Sequence, residues 1–273
     1  MSLRVLCPLF LIAAVANACP ERIEPPRPPD ILAQISRTTP AAAARYSVAA
    51  YLSIDRPGQF TPIYRGGGVI DFTREEVSGD LVFEQPRIEG LRFIVDVTGV
   101  YMKGTADVGL KLPTGDKWLL LEPRDFSQIR FDISSFLQGD PTQEFRFLAR
   151  HAGRPRRLGP DNIGGAIGVE EHYRMIVDLS RLKTSLRRRE ERELSSASRD
   201  DLHRLLDQLG PVTTALVKDV WIGAEGRVVR DATTITARVG PKNRTASLRR
   251  VFDYLEYGSN FYVNPPPPGA FST

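Results

Sequence analysis

The sequence predicts an α+β fold built on one antiparallel sheet, and three observations carry that reading. Short runs of β type, separated by polar turns, fill the first half of the chain from about residue 44. A strong helix start, Asp140-Pro141-Thr142-Gln143, interrupts them. Strand patterns then resume and run almost to the end, giving strands, helices and strands again. There is no internal repeat and no sign of a second domain.

The early strands follow from alternation. Tyr46, Val48 and Ala50 oppose Ala49, Tyr51 and Ser53. Further strands are expected over residues 68–73, 77–85, 91–103 and 117–122. Turn signals separate them: Arg56-Pro57-Gly58, Gly66-Gly67-Gly68, residues 86–90, and Pro113-Thr114-Gly115-Asp116. Behind Asp140, the side chains of Phe145, Leu148 and Ala149 share a helical face that ends at Gly153. A second helical stretch starts near Ser180, with Leu182, Leu186 and Leu194 on one side. It breaks at Ser195-Ser196-Ala197-Ser198 and restarts with Leu202, Leu205, Leu206 and Leu209, until Gly210-Pro211 stops it. Residues 172–179 alternate as a strand. Residues 213–222 and 227–239 flank a hairpin turn at Gly223-Ala224-Glu225-Gly226, and residues 244–257 form a last long strand.

The amino terminus bears on location. Arg4 precedes a run of mostly apolar residues over 5–15, and Ala16-Asn17-Ala18 leads directly into Cys19. That order is a secretory signal peptide over residues 1–18. A cysteine at the cleavage point is what a bacterial lipoprotein needs for its lipid anchor, so Cys19 is the expected lipidation site, on the extracytoplasmic face of the membrane. Ala16-x-Ala18 also fits ordinary cleavage, which would release a soluble secreted protein. Residues 19–43 hold Pro20, Pro25, Pro26, Pro28, Pro29 and Pro40 and read as a tether. At about 3.1 Å per residue such a segment is extended and semi-rigid. The folded domain is expected over 44–264, with a disordered tail over 265–273.

Composition excludes some classes. Of 273 residues, 41% are hydrophobic, enough for a sizeable core. Cys7 leaves with the signal, so the mature chain keeps one cysteine and no intrachain disulfide. The formal charge of +4 is nearly balanced, and the run Arg187-Arg188-Arg189-Glu190-Glu191-Arg192-Glu193 pairs opposite signs at i,i+4. That is a solvated helix face, so no nucleic-acid partner is expected. Catalytic signals are poor. His151, His172 and His203 have no metal-ligand spacing, Glu170-Glu171-His172 reads as a solvent-facing strand end, and no Gly-x-Ser-x-Gly occurs. Gly66-Gly67-Gly68 lacks the helix and lysine of a phosphate loop and reads as a turn or bulge. No enzyme, cofactor or metal is expected.

A set of local motifs resembles a known family. They are Gly67-Gly68-Val69-Ile70-Asp71-Phe72, Gly99-Val100-Tyr101-Met102-Lys103 and Lys117-Trp118-Leu119-Leu120-Leu121. Asp140-Pro141 before Phe147-Leu148 and His172-Tyr173-Arg174-Met175-Ile176-Val177-Asp178-Leu179 follow. The hairpin running from Asp219-Val220-Trp221-Ile222 to Arg227-Val228-Val229-Arg230, then Phe252-Asp253-Tyr254-Leu255-Glu256-Tyr257-Gly258, complete the set. In this order, behind an exported cysteine, they resemble the LppX/LprAFG family of actinobacterial envelope lipoproteins. The resemblance implies a LolA-like half-barrel, a strongly curved antiparallel sheet with helices packed on its concave face. It implies an apolar cavity that takes acyl chains of envelope lipids or glycolipids for transport within the cell envelope. A membrane transporter is an implied partner, and the protein is expected to be a monomer.

The expected lipid-cavity wall comes from two registers. One is Leu91, Phe93, Val95 and Val97; the other is Tyr173, Met175, Val177 and Leu179. The opposite registers carry Arg92, Asp96, Arg174 and Asp178, which fixes the apolar sets inside. Inside, they either line a cavity or simply pack the helices holding Phe145, Leu148, Leu202 and Leu206. Phe93 and Met175 are the favoured wall positions. The alternative function is a non-catalytic sensor or structural lipoprotein with a filled core that binds a protein partner.

Overall fold

The computed structural model describes residues 40–84, 89–107, 111–113, 115–122, 139–163, 170–188, 194–196, 199–200, 202–203, 206, 213–240, 242–267 and 269–272. Cys19, the signal and most of the tether lie outside them, as do residues 189–193 of the charge run. The strands are β1 (Ala43–Ile54), β2 (Thr61–Asp71), β3 (Glu76–Phe83), β4 (Glu89–Asp96), β5 (Gly99–Gly104) and β6 (Trp118–Leu121). Helix α1 (Pro141–His151) follows, then β7 (Arg156–Asp161), β8 (Glu170–Ile176) and helix α2 (Leu179–Leu186). β9 (Thr213–Ile222), β10 (Val228–Val239), β11 (Arg244–Gly258) and β12 (Phe271–Ser272) complete the order.

All twelve strands form one sheet, ordered β12-β6-β5-β4-β3-β2-β1-β11-β10-β9-β8-β7. Eleven are antiparallel; β12 adds in parallel on β6. Two meanders, β1–β6 and β7–β11, are thus joined side by side through β1 and β11, from Ala43 opposite Gly258 to Ile54 opposite Ala246. Among the described residues β7 and β12 do not pair, so the sheet is open rather than a closed barrel.

Period-two alternation puts one face of every strand inward. Tyr46, Val48 and Ala50 of β1 are buried, and so are Leu91, Phe93 and Val95 of β4. Cross-strand register lines them up in rows. One row runs Tyr254, Tyr46, Gly68, Gly79, Phe93, Met102 across β11, β1, β2, β3, β4 and β5. The two glycines leave a trough, and neighbouring aromatics fill it. A Cβ on Gly79 would lie 2.5 Å from the Tyr46 hydroxyl and 3.0 Å from the Phe93 ring. The Tyr46 hydroxyl reaches the Ser78 carbonyl at 3.3 Å. The Gly66-Gly67-Gly68 run, expected as a turn or bulge, is therefore the middle of β2. A Cβ on Gly68 would come within 1.8 Å of the Ser78 carbonyl oxygen. These glycines let two backbones and a tyrosine approach where no side chain fits.

Turns are closed by side chains already visible in the sequence. The Asp71 carboxylate accepts from Thr73 N, Thr73 Oγ1 and Arg74 N at 2.7–2.9 Å between β2 and β3. Asp96 does the same for Thr98 N and Oγ1 at 2.7 and 2.5 Å. This second turn corrects the expectation of one strand over 91–103, which is instead the hairpin β4–β5. Val97 sits on that turn, 83% exposed, and leaves the wall register. The 223–226 turn forms as expected, with Gly223 N–H donating to Arg227 O at 2.9 Å and Gly226 at φ +75°.

α1 begins where the sequence places it. Asp140 caps it, accepting from Thr142 N at 2.8 Å. α2 starts one residue before Ser180, capped by Asp178 through Arg181 N at 3.0 Å. The preceding strand stops at Ile176, so Leu179 is a half-buried first helical residue rather than a strand residue. Beyond Leu186, the side chains of Leu194 and Leu202 join the core and Leu206 packs against it. β7 was not legible, because Arg156–Asp161 has no apolar alternation and contains Gly159 and Pro160.

The carboxy-terminal tail is the remaining correction. Expected to be disordered, it pairs Phe271 with Trp118 on the outer face. Ala270 O accepts from Trp118 N at 2.7 Å, and the Phe271 ring lies 5.5 Å from Tyr101. Ile94, Tyr101, Trp118 and Val263 form a second small core there. Burial of these apolar side chains offsets the entropy of ordering the tail.

Gly68→Ala is expected to destabilise the protein by at least about 1–3 kcal/mol, because backbone must move to admit the methyl group. Gly90→Ala, whose Cβ meets nothing within 4 Å, is expected to be neutral or stabilising by up to about 1 kcal/mol. Urea denaturation midpoints of both variants check the contrast.

Candidate functional site

The predicted wall is part of one core. Leu91, Phe93, Val95, Tyr173, Met175 and Val177 are all buried and belong to a single cluster with Phe145, Phe147 and Leu148 of α1. The structure thus brings together six of the eight predicted residues. Leu179 packs against the cluster from the start of α2, and Val97 points to solvent. Close contact marks the α1 end of this core. A Cβ on Gly153 would lie 2.6 Å from Met175 Cγ.

Sequence reasoning missed a charged group within this apolar face. Lys218 of β9 is buried with its Nζ 2.9 Å from Glu144 Oε1 of α1 and 2.5 Å from Asp231 Oδ2 of β10. Alternation would have hinted at it, since Lys218 shares a register with Leu216 and Val220. Burial alone would push the ammonium down, but Asp231 and Glu144 outweigh it and hold the pKa above the usual lysine value. Burial pushes the Asp231 carboxyl up, and Lys218 offsets only part of that. An ammonium caged in this way is a poor nucleophile and a poor base. Its effect is positional. Thr142 Oγ1 accepts from Val228 N at 3.1 Å, and Asp140 Oδ2 accepts from Ala41 N at 2.9 Å. The first turn of α1 is thereby fastened to β10 directly, to β9 through Lys218, and to the lead-in of β1.

A second polar cluster lies on the outer face of β8–β11. His172, expected at a solvent-facing strand end, is instead stacked on Trp221 with centroids 4.1 Å apart and rings 11° from parallel. His172 Nε2 is 2.9 Å from Asp219 Oδ1. Arg174 forks onto Asp219 at 2.8 and 3.2 Å, and Trp221 Nε1 donates to Asp161 Oδ2 at 2.9 Å. Arg230 pairs with Asp253 and lies over the Trp221 ring, 5.8 Å from its centroid. The motifs Asp219-Val220-Trp221-Ile222 and His172-Tyr173-Arg174 therefore meet across adjacent strands, one residue in and the next out. Among the described residues no three His, Cys, Asp or Glu side chains converge as metal ligands.

A third feature is a cavity of about 320 Å³ along α2, lined by Arg150, His151, Ser180, Arg181, Thr184, Ser185 and Arg188. Each of these lining residues is polar or charged. No helix of the described residues is long and apolar enough to cross a membrane.

Compared with known proteins, the chain matches no family model and no curated protein. Among solved structures it is similar to a DUF1329 family protein from Desulfovibrio piger. The two are 8% identical over 86% of this chain and 93% of that one, with a TM-score of 0.27. The likeness to LppX/LprAFG rests on the sequence motifs alone.

The buried ionisable groups set an alkaline limit. Tyr46, Tyr254 and Tyr257 have phenol pKa values raised, chiefly by burial. Above about pH 10 the unfolded chain releases these protons and that of Lys218, while the folded chain keeps them. Stability is therefore fully present below about pH 10 and falls as pH rises further. Urea midpoints measured between about pH 8 and pH 11 are expected to drop, and Tyr254→Phe to flatten the drop. Lys218→Met strands two carboxylates and is expected to cost about 3–5 kcal/mol near neutral pH.

Proposed function

We propose that the chain is an exported, lipid-anchored protein that binds acyl chains of envelope lipids or glycolipids and carries them within the cell envelope. The carrying observation is the inner face of the open sheet. It is apolar from Val100 and Met102 on β5, through Leu81, Tyr46 and Phe252, to Val220 and Tyr173 on β9 and β8. Only α1 and α2 are helices with bounds among the described residues, eleven and eight residues long, and they are short for so wide a face. Sheet curvature into a half-barrel, with the helices on the concave side, would turn that face into a cleft. Each methylene buried there gains about 0.8 kcal/mol, so aliphatic walls suffice to hold a chain. The signal-like start and Cys19 supply export and anchorage. At least two acyl chains on that cysteine would make the anchoring stable.

One observation favours a second reading, a filled core whose outer surface binds a protein partner. Phe93, Met102 and Met175 have no solvent-accessible surface at all. In the carrier reading these side chains separate as lipid enters.

Native mass spectrometry of the full chain purified from an actinobacterial host tests the proposal. The expected result is a bound species of lipid mass. A chain that arrives unladen and takes up neither fatty acid nor glycolipid overturns it. Val95→Trp separates the two readings. Loss of lipid with an unchanged melting temperature places Val95 on a cavity wall; retention of lipid with a loss of about 1–3 kcal/mol places it in a packed core. Cys19→Ser is expected to move the processed protein from the membrane to the soluble fraction, and persistence on the membrane refutes the anchor.

A further inference from the structure

The inner face of the sheet runs out into an exposed apolar patch at one end. Register puts Leu52 of β1, Leu248 of β11 and Ile235 of β10 in one row, and Ile54, Ala246 and Ala237 in the next row toward the hairpin tips. Alternation places both rows, and Val239 beyond them, on the face that also carries Tyr46, Val48 and Ala50. Ile235 still packs against the core. Leu248, Ile54 and Val239 are 41%, 40% and 40% exposed. The face that forms the core thus ends in three aliphatic side chains open to water. A single exposed aliphatic is ordinary surface, but three at one end of one face mark a contact site.

The two hairpin tips around this patch form one platform. β1 and β11 are paired, so the turn after β1 stands beside the turn before β11. Asp55 N–H donates to Thr245 O at 2.8 Å, and Thr245 N–H donates to Asp55 Oδ1 at 2.9 Å. Arg244 pairs with the same carboxylate. Asp55 and Asn243, at φ +54° and +52°, let both chains reverse tightly. Charge on the platform is one-sided. Asp55 is the one acid in residues 54–60 and 238–245, and Arg244 already answers it. Arg56, Arg238 and Lys242 belong to the same two segments and are exposed, and among the described residues none of the three forms an ion pair. The aliphatic patch is therefore flanked by three cations without an acid partner.

An aliphatic centre with cationic flanks matches the boundary between headgroups and acyl chains of an anionic bilayer. A protein partner fits less well. Stable protein interfaces engage about 20–30 residues on each side around aromatic anchors, and this patch offers three exposed aliphatics. A membrane needs fewer, because each Lys or Arg adds attraction to an anionic leaflet and each aliphatic side chain adds apolar burial. We infer that the tips of the β1–β2 and β10–β11 hairpins dock on an anionic membrane surface. Ile54, Val239 and Leu248 enter the interface, and Arg56, Arg238 and Lys242 meet the headgroup phosphates. This docking stands apart from the carrier reading, since it requires neither an acyl chain under the helices nor a lipid on Cys19.

Vesicle co-sedimentation tests the inference on the processed chain, residues 19–273, carrying Cys19→Ser so that no anchor contributes. The vesicles are phosphatidylcholine alone, or phosphatidylcholine and phosphatidylglycerol in equal amounts. The expected result is binding to the anionic vesicles that is at least about tenfold weaker on the neutral ones and falls as salt rises. Arg238→Gln/Lys242→Gln and Ile54→Ser/Leu248→Ser are each expected to weaken it at least about tenfold. Arg154→Gln/Arg156→Gln and Leu158→Ser/Leu255→Ser, which change exposed residues elsewhere, are expected to leave it unchanged. The first tip variant alters exposed cations alone, so its result stands even where the aliphatic variant loses stability. No binding, equal binding to both kinds of vesicle, retention of binding by both tip variants, or equal loss in the control variants overturns the inference. So does a dimer, seen by sedimentation velocity without vesicles, that Ile54→Ser/Leu248→Ser abolishes, because it assigns the patch to a second copy of the chain. Docking by a chain that takes up no lipid in native mass spectrometry supports the inference and counts against the carrier reading.

Discussion

The placement of α1 depends on one buried charge. Lys218 must have partners, because an isolated ammonium in a core is far more costly than a paired one. Asp231 lies across the β9–β10 ladder and belongs to the sheet. Glu144 belongs to the helix, and its 2.9 Å contact can form only if the first turn of α1 sits over β9 and β10. Apolar burial of Phe145, Phe147 and Leu148 supplies attraction without direction. The ion group, with the Thr142 and Asp140 bonds, supplies the direction. A helix that slid by one turn would keep most of its apolar contact but strand Glu144 and leave Lys218 with Asp231 alone.

The sheet has its own constraint in the Tyr46 row. Two glycines opposite each other on β2 and β3 remove side chains from the inner face, and the Tyr46 and Phe93 rings occupy the space. Such a trough lets strands approach and turn where side chains would hold them apart. Any cleft between sheet and helices must be shaped by this row, since it lies near the middle of the β1–β6 meander. The outer face is organised differently, by charge pairs and stacked rings rather than by apolar contact. Arg92 with Asp80, Arg157 with Glu171, and Arg174 with Asp219 each bridge neighbouring strands. An exposed pair such as Arg92–Asp80 adds little by itself; the bonds of His172 and Arg174 to Asp219 contribute more because that carboxylate is buried.

These two faces explain what the family-like motifs encode. Asp219 and Trp221 point outward, while Val220 and Ile222 of the same run enter the core. Tyr173 and Met175 are core, while His172 and Arg174 bind Asp219. The motifs specify a joint between β8 and β9 that is fixed on both sides. The polar cleft on α2 stands apart from them, and its arginines belong to no motif in that set.

Alternation and turn chemistry alone determined the antiparallel strands β1, β3, β9, β10 and β11, the Asp140 cap of α1, the 223–226 hairpin, and the inward registers of Leu91 to Val95 and Tyr173 to Val177. Each depends on neighbours two to four residues apart, where local geometry and the cost of burying charge leave one choice. Only the tertiary structure decided the rest. Gly66-Gly67-Gly68 has the composition of a turn, and its place inside β2 is set by Tyr46 and Ser78 from adjacent strands. Val97 has the pattern of a strand, and Asp96 diverts it through a tight turn that suits the β5 pairing. β7 and β12 carry no alternation and exist because an edge of the sheet offers unpaired backbone groups. The Lys218 group and the arginines along α2 join residues far apart in the chain. Their spacing follows from packing, which no local pattern records.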